Sequence, residues 1–274
     1  MSPETDSFLD EYWELGHGRK KGTFNFSAYR PNVFFPLHVS THINRNPQSP
    51  SPGHSGQLPA YQSYEAKLQV SVRTKLAEGL LLPDADLWFG YTQQSLWQLY
   101  SGGISRPFRS TDHEPELFYI VPTPLDLPLG WKMKMTGVGL AHQSNGQALP
   151  LSRSWNRLYV LGGIENGQFA ITARLNKRIR ESDGNDDNPD LVDYRGRTEI
   201  LGIWSPGAHT LSAQWRTNFN RRGSLQIDWT APVNPKHPQG LRWYVQGFSG
   251  YAETMIDYNF RQSSLGAGVT LFTW

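Results

Sequence analysis

Apolar and polar residues alternate one by one over long stretches of this chain, and a sequence written that way has few folds open to it. In residues 224–231, Leu225, Ile227, Trp229 and Ala231 alternate with Ser224, Gln226, Asp228 and Thr230. In residues 64–73, Ala66, Leu68, Val70 and Val72 alternate with Glu65, Lys67, Gln69, Ser71 and Arg73. In residues 265–271, Leu265, Ala267, Val269 and Leu271 alternate with Gly266, Gly268 and Thr270. Successive side chains of a strand point to opposite faces, so each segment predicts a strand with one apolar and one polar face. Helical periodicity is weak.

About twelve such segments are present, near residues 32–43, 62–77, 85–99, 114–121, 131–144, 153–164, 168–179, 194–204, 209–217, 222–231, 241–251 and 263–274. Most span roughly ten residues or more, enough to cross a bilayer when tilted; strands of soluble proteins have a mode of about 5–6 residues. The connections alternate between two kinds. Short ones include residues 165–167, 205–208 and a Pro-rich turn at 122–128, with Asn166-Gly167 as a tight-hairpin signal. Long ones include residues 44–61, 101–113, 145–152 and 180–193. Long loops on one side and short turns on the other are the layout of an outer-membrane barrel.

The expected fold is therefore all-β, a twelve-stranded antiparallel transmembrane β-barrel forming one domain over residues 1–274. An even strand count puts both termini on the short-turn side, which makes residues 1–26 a periplasmic N-terminal segment. The terminal aromatic, Trp274, suits a final barrel strand. A soluble barrel or sandwich is the competing fold, with the apolar face turned inward. Alternation alone does not choose between them; strand length and loop asymmetry favour the membrane.

Composition agrees. Hydrophobic residues make up 38% and aromatics 13%, as suits a wall that is greasy on one face only. Cysteine is absent, which excludes disulfides and thiolate metal sites. The 26 basic and 24 acidic residues are too balanced to imply a nucleic-acid partner. No run of about 18 apolar residues predicts a transmembrane helix. The first fourteen residues are polar and acidic, unlike a leader peptide, so an exported chain would be in its mature or trimmed form.

Chemistry concentrates near residue 144. His142 and Ser144 are two apart on one predicted strand, so they share a face, with Cα atoms about 7 Å apart. The next strand returns antiparallel and brings Asn156 beside His142. A carboxamide oxygen accepting the imidazole N–H fixes the tautomer, as Asp does in a Ser-His-Asp triad. By parity the trio shares its face with Val138, Leu140, Leu158 and Val160, the apolar, lipid-facing one. An isolated His-x-Ser is common, and polar residues near a strand end remain the plain alternative. The remaining seven histidines, His38, His113 and His237 among them, show no paired ligand spacing and read as surface or interface residues. The run 183–190 holds four Asp without an EF-hand pattern and reads as a solvated outer loop.

The stretches His142-Gln143-Ser144-Asn145-Gly146 and Ser152-Arg153-Ser154-Trp155-Asn156-Arg157-Leu158-Tyr159 strongly resemble the outer-membrane phospholipase A family. The likeness continues in Tyr91-Thr92-Gln93, Pro107-Phe108-Arg109, Asp186-Asp187-Asn188-Pro189-Asp190, Ser249-Gly250-Tyr251 and Ile256-Asp257-Tyr258-Asn259-Phe260. It implies a twelve-stranded barrel that hydrolyses acyl esters of glycerophospholipids, with A1, A2 and lysophospholipase activity. It further implies calcium dependence, activity as a homodimer, and a site turned toward the outer leaflet. Ser144 would be the nucleophile, His142 the general base and then acid, Asn156 the orienting residue, and the Gly146 N–H an oxyanion donor. Calcium would be held by the Ser152 hydroxyl, the Gln147 carbonyl and the carbonyl of the partner subunit's Ser105. Gln93 would lie at the dimer interface. The family often has Asp where Gln143 stands and Arg where Gln147 stands. Leu149 stands where the family can supply a carboxylate to a second calcium site, which would also use Asp187. The alternative function is a non-catalytic, porin-like channel lined by Glu65, Lys67, Arg73, Gln226 and Asp228.

Overall fold

The computed structural model describes residues 7–182 and 184–272. Among them are the strands β1 (Phe26–Ala28), β2 (Asn32–Ser40), β3 (Tyr64–Ala77), β4 (Asp86–Trp97), β5 (Phe108–Asp126), β6 (Lys132–Ser144) and β7 (Ser154–Asn166). They continue with β8 (Phe169–Ile179), β9 (Thr198–Trp204), β10 (Thr210–Thr217), β11 (Gly223–Pro232), β12 (Arg242–Gly250) and β13 (Gln262–Phe272). Each of β2 to β12 pairs antiparallel with its successor, and β13 returns to β2. The result is a closed twelve-stranded barrel. The short β1 pairs with β3 beyond the reach of β2, so the two form one interrupted strand. Trp274, Asp183 and residues 1–6, on which some of the expectations fall, lie outside the described residues.

The faces are sorted as a bilayer requires. Leu37, Val70, Leu117, Leu158, Leu175, Ile227 and Leu265 stand on the outer wall, 40–60% exposed. Left in water, such a continuous apolar band would far exceed what monomeric soluble proteins expose. The interior carries the charges. Glu65, Lys67, Arg73 and Asp228, offered above as channel lining, are all buried inside. Arg30 binds Glu114 and Glu116, Arg157 binds Glu114, and Arg174 binds Glu116. Two interior voids of about 70 Å³ each leave room for a few waters. This inversion, polar within and apolar without, excludes the soluble fold.

Aromatic residues gather at both rims. Phe169 stacks on Trp204 and His209 on Trp229 at the short-turn end, while Trp97 stacks on Phe108 and Tyr64 packs on Tyr100 at the other. Such paired girdles mark the two bilayer interfaces. The short-turn end is closed from inside by α1 (Phe8–Trp13), capped by the Ser7 hydroxyl. Its Leu9 and Trp13 bury against Trp88, Phe118, Met135 and Tyr159. The long-loop end is closed by α2 (Leu191–Arg195) and the β12–β13 loop, where Leu191, Val192, Met255 and Tyr258 pack on Trp155.

Four expectations need correction. The strand expected at 114–121 runs over Phe108–Asp126, because the inward Arg109 finds carboxylates at Glu65 and Asp257. The Pro-rich turn is mostly strand, the prolines being taken up by a register shift between Pro122 and Leu125. The strand expected from 194 begins at Thr198, since Leu191–Arg195 is helical and buries its apolar residues under the loops. His38 is not at the surface but fully buried, hydrogen bonded to Glu253. A register shift between Phe35 and His38, at Pro36, moves the inward positions from odd to even.

Candidate active site

Strands β6 and β7 pair with His142 opposite Asn156 and Ser144 opposite Ser154. Even-numbered positions of both point outward, as Val138, Leu140, Leu158 and Val160 show by being 45–54% exposed. His142, Ser144 and Asn156 continue that face at its long-loop end, each half-buried. The Nδ1 of His142 lies 2.9 Å from the Oδ1 of Asn156. An amide oxygen only accepts, so the imidazole carries its proton on Nδ1 and Nε2 is left free to take one. The Asn156 amide is itself engaged, its Nδ2 donating to the Glu181 Oε1 at 3.0 Å. Ser144 makes no side-chain hydrogen bond to His142 among the described residues; such contacts are commonly loose without substrate and tighten in the complex.

Across from Ser144 on β5 stands His113. The Tyr91 hydroxyl contacts its Nδ1 at 2.7 Å and the Gln93 Oε1 at 3.3 Å. Gln93 thus faces outward with Tyr91, and its Nε2 donates to the Ser95 hydroxyl at 3.3 Å. Neither the nearness of His113 nor the Glu181 contact was seen in the sequence. For His113 the signal was the register of β5 against β6; for Glu181 none existed, since it belongs to a loop.

The hairpin loop after Ser144 is held by Asn145. Its backbone N–H donates to the Arg153 carbonyl at 3.0 Å, its Nδ2 to the Leu151 carbonyl at 2.7 Å, and its Oδ1 accepts from the Arg153 N–H at 2.9 Å. Gly146 then turns with φ +61°, a conformation glycine adopts without strain. Its N–H has no hydrogen-bond partner among the described residues and is available to an incoming oxygen. Behind the wall the site is backed by a packed interior. Trp155 is fully buried, donates to the Gln143 Oε1 at 3.0 Å, and lies under the Arg157 and Arg195 guanidinium groups. Below the site, Leu117, Val138, Leu140, Leu158, Val160 and Leu175 line an open apolar hollow of about 740 Å³.

Oxygen donors collect one loop away. The Ser152 hydroxyl donates to the Asp187 Oδ2 at 2.6 Å, and Ser154 reaches the same oxygen at 3.2 Å. The Nε2 of His54 meets the Asp187 Oδ1 at 3.0 Å. Asp186 pairs with Arg178, and Asp190 accepts from Tyr258. The described part of the acidic run is thus tied down, not a solvated loop, because cations and hydroxyls from neighbouring loops reach it. Gln147 is exposed in the hairpin loop, and its backbone carbonyl accepts no hydrogen bond among the described residues. Ser105 caps a short 3-10 turn (Gly102–Ile104) with φ +62°, and no hydrogen bond joins it to Ser152 or Gln147 among the described residues. The hydroxyl–carboxylate pair fits a hard cation such as calcium, which takes oxygen ligands. Among the described residues no group of three or more His, Cys, Asp or Glu is placed to hold a metal, so hydroxyl and carbonyl oxygens would have to complete the shell.

A closed barrel with an apolar exterior, a filled charged lumen, and a His–Asn pair beside a serine on its lipid-facing wall defines an outer-membrane barrel with a hydrolase-type site. The chain belongs to the phospholipase A1 family, whose sequence pattern matches residues 9–271. It is 38% identical over 270 residues to the putative phospholipase A1 of Neisseria meningitidis serogroup B, covering 95% of this chain and 69% of that one. Its fold is similar to the Salmonella typhi outer membrane phospholipase dimer with bound calcium, with TM-score 0.81, 32% identity, and 93% and 95% of the two chains covered. It also matches an asparagine-to-alanine active-site mutant of Escherichia coli outer membrane phospholipase A at pH 6.1, with TM-score 0.83, 30% identity, and 98% and 99% covered.

Proposed function

We propose that this chain is a calcium-dependent outer-membrane phospholipase that hydrolyses acyl esters of glycerophospholipids and their lyso forms, of A1 and A2 type, through Ser144, His142 and Asn156. The observation that carries this is the 2.9 Å contact between His142 Nδ1 and Asn156 Oδ1 on the face that also presents Ser144 to lipid.

The acyl chain lies in the hollow along Leu140 and Leu158, which leaves its ester at the height of Ser144. The Ser144 oxygen attacks the ester carbonyl while His142 Nε2 takes its proton. Asn156 keeps the other imidazole nitrogen protonated and the ring aimed. The Gly146 N–H donates to the carbonyl oxygen as it gains charge; one such donor contributes about 10²–10³ in rate. His142 then gives its proton to the leaving lyso-lipid oxygen. Water, deprotonated by His142, releases the fatty acid and restores Ser144.

Ser152, the Gln147 carbonyl and the carbonyl of the partner subunit's Ser105 would hold calcium, with Asp187 as a further ligand. When bound, the ion supplies positive charge beside the developing oxyanion. Two copies associate through the outward wall at Gln93, whose amide makes only long bonds of 3.3 Å within its own chain and keeps donor and acceptor capacity for a partner's polar group. The site lies at the long-loop, outer-leaflet end, so the described part of the N-terminal segment, residues 7–26, stands at the periplasmic end. The porin-like reading is set aside, because paired charges fill the lumen.

Fatty-acid release from phospholipid by detergent-solubilised wild type and Ser144→Ala, each with calcium and with chelator, tests the proposal. Release that needs both calcium and Ser144 is expected. Equal release by Ser144→Ala would remove the nucleophile assignment, and no release by the folded wild type would remove the enzyme.

A further inference from the structure

Asn156 is held on both sides, and the far side holds a charge. Strand β8 ends with Ile179 opposite Asn156, and two residues later Glu181 turns back to the same amide. Its Oε1 accepts from the Asn156 Nδ2 at 3.0 Å, while the Asn156 Oδ1 faces the His142 Nδ1 at 2.9 Å. A carboxylate only accepts. A flipped amide would put oxygen against oxygen at Glu181 and set an N–H₂ against the imidazole N–H. Glu181 therefore locks the orientation in which Asn156 can serve His142.

We infer that Glu181 is a positioning residue for the reaction, the fourth member of a chain Ser144–His142–Asn156–Glu181. It rests on the proposal above that Ser144 is the nucleophile. As Ser144 attacks, its proton moves to His142 Nε2 and the ring becomes a cation. No proton moves beyond Nδ1; Asn156 keeps both of its own. The Glu181 carboxylate, two hydrogen bonds away, stabilises that cation through the polarised amide, giving a neutral asparagine part of the effect of an aspartate. All three side chains are half-buried at the outer rim, so the field between them is only partly screened by water. Other titratable or charged groups near this part of the outer wall include Tyr91 on β4, His113 and Tyr119 on β5, Lys177 on β8 and Arg180 next to Glu181. None hydrogen bonds to His142 or Asn156 among the described residues.

The test is hydrolysis kinetics with saturating calcium, across pH, in detergent, for wild type, Ser144→Ala, Glu181→Ala, Glu181→Gln, Asn156→Ala and the double variant Asn156→Ala/Glu181→Ala. Folding is checked by heat-modifiable gel migration. Glu181→Ala should lower kcat about tenfold with little change in KM. Glu181→Gln keeps an acceptor for Nδ2 and should recover much of the turnover. A fall in kcat at constant KM that a carboxamide acceptor restores is a pattern that mere support of the loop would not give. In the Asn156→Ala background, loss of Glu181 should add almost nothing. Unchanged kcat in Glu181→Ala, or an equal loss with and without Asn156, overturns this role alone. Absence of Ser144-dependent hydrolysis in the wild type overturns the enzyme reading and this role with it.

Discussion

The Ser152 hydroxyl donates to the Asp187 carboxylate at 2.6 Å, although the two residues belong to different loops and lie 35 positions apart. A hydroxyl oxygen and a carboxylate this close are two hard donors that a divalent cation could bridge, the hydroxyl keeping its proton and turning it away. Ser152→Ala should raise the calcium needed for half-maximal activity about 10- to 100-fold, the usual effect of losing a group that supports a metal. The barrel should stay folded. A calcium titration of hydrolysis measures this, and an unmoved curve would take Ser152 out of the ligand set.

Ser144→Ala and Asn156→Ala should differ in degree. Loss of a nucleophile removes about 10⁴-fold or more of the rate. Loss of Asn156 leaves His142 chemically intact but unaimed, with a fall of about 10²-fold. Both variants remove only polar groups from the outer wall, so their unfolding midpoints should match the wild type. Single-turnover acyl release separates the two, and equal rates would mean that Asn156 acts in some other way.

The barrel was legible in the sequence because its rule is local. Alternation at period two, as in residues 224–231, states which residues share a face, and His142, Ser144 and Asn156 follow from the same parity. What alternation omits is the sign of the face and anything carried by loops. The choice of wet side rested instead on strand length and loop asymmetry, and Glu65, Lys67 and Asp228, buried in a charged lumen, bear it out. His38 was misjudged because one irregular step at Pro36 inverts the parity of β2. Arg109 and its neighbours read as loop because their partners, Glu65 and Asp257, lie 44 and 148 residues away. Glu181 and His54 reach their partners across loops whose course no periodicity encodes.

Those distant partners matter to stability. Arg109 binds Glu65 through Nη2 at 2.9 Å and Asp257 through Nη1 at 2.8 Å, all three side chains being fully buried. It ties the β12–β13 loop to the wall. Arg109→Met leaves two carboxylates without a cation inside the barrel, which costs about 3–5 kcal/mol. Urea unfolding in detergent should show the drop. A midpoint within error of the wild type would mean that water reaches these carboxylates.

Glu253, on the same loop, offers a test that depends on pH. It accepts from Gln262 at 2.8 Å, from Ser264 at 2.9 Å and from Lys67 at 3.3 Å, and meets His38 Nε2 at 2.9 Å. Burial works to raise its carboxyl, but the Lys67 charge and the His38 hydrogen bond outweigh burial and hold it well below the usual carboxylate range. A carboxyl depressed by folding adds stability that is complete above its unfolded value, about 4.3, and is lost as pH falls through the folded one. Glu253→Gln should therefore be less stable than wild type at neutral pH, by about 1–3 kcal/mol for the lost charge on the bonds to Lys67 and His38. That gap should narrow steadily below about pH 4, because the unfolded wild-type chain takes up a proton at Glu253 there while the folded carboxyl stays ionised, which favours unfolding of the wild type alone. Unfolding midpoints of the two proteins from pH 7 down to pH 3 measure the gap. One that stays constant over that range would show that Lys67 and His38 do not depend on the Glu253 charge.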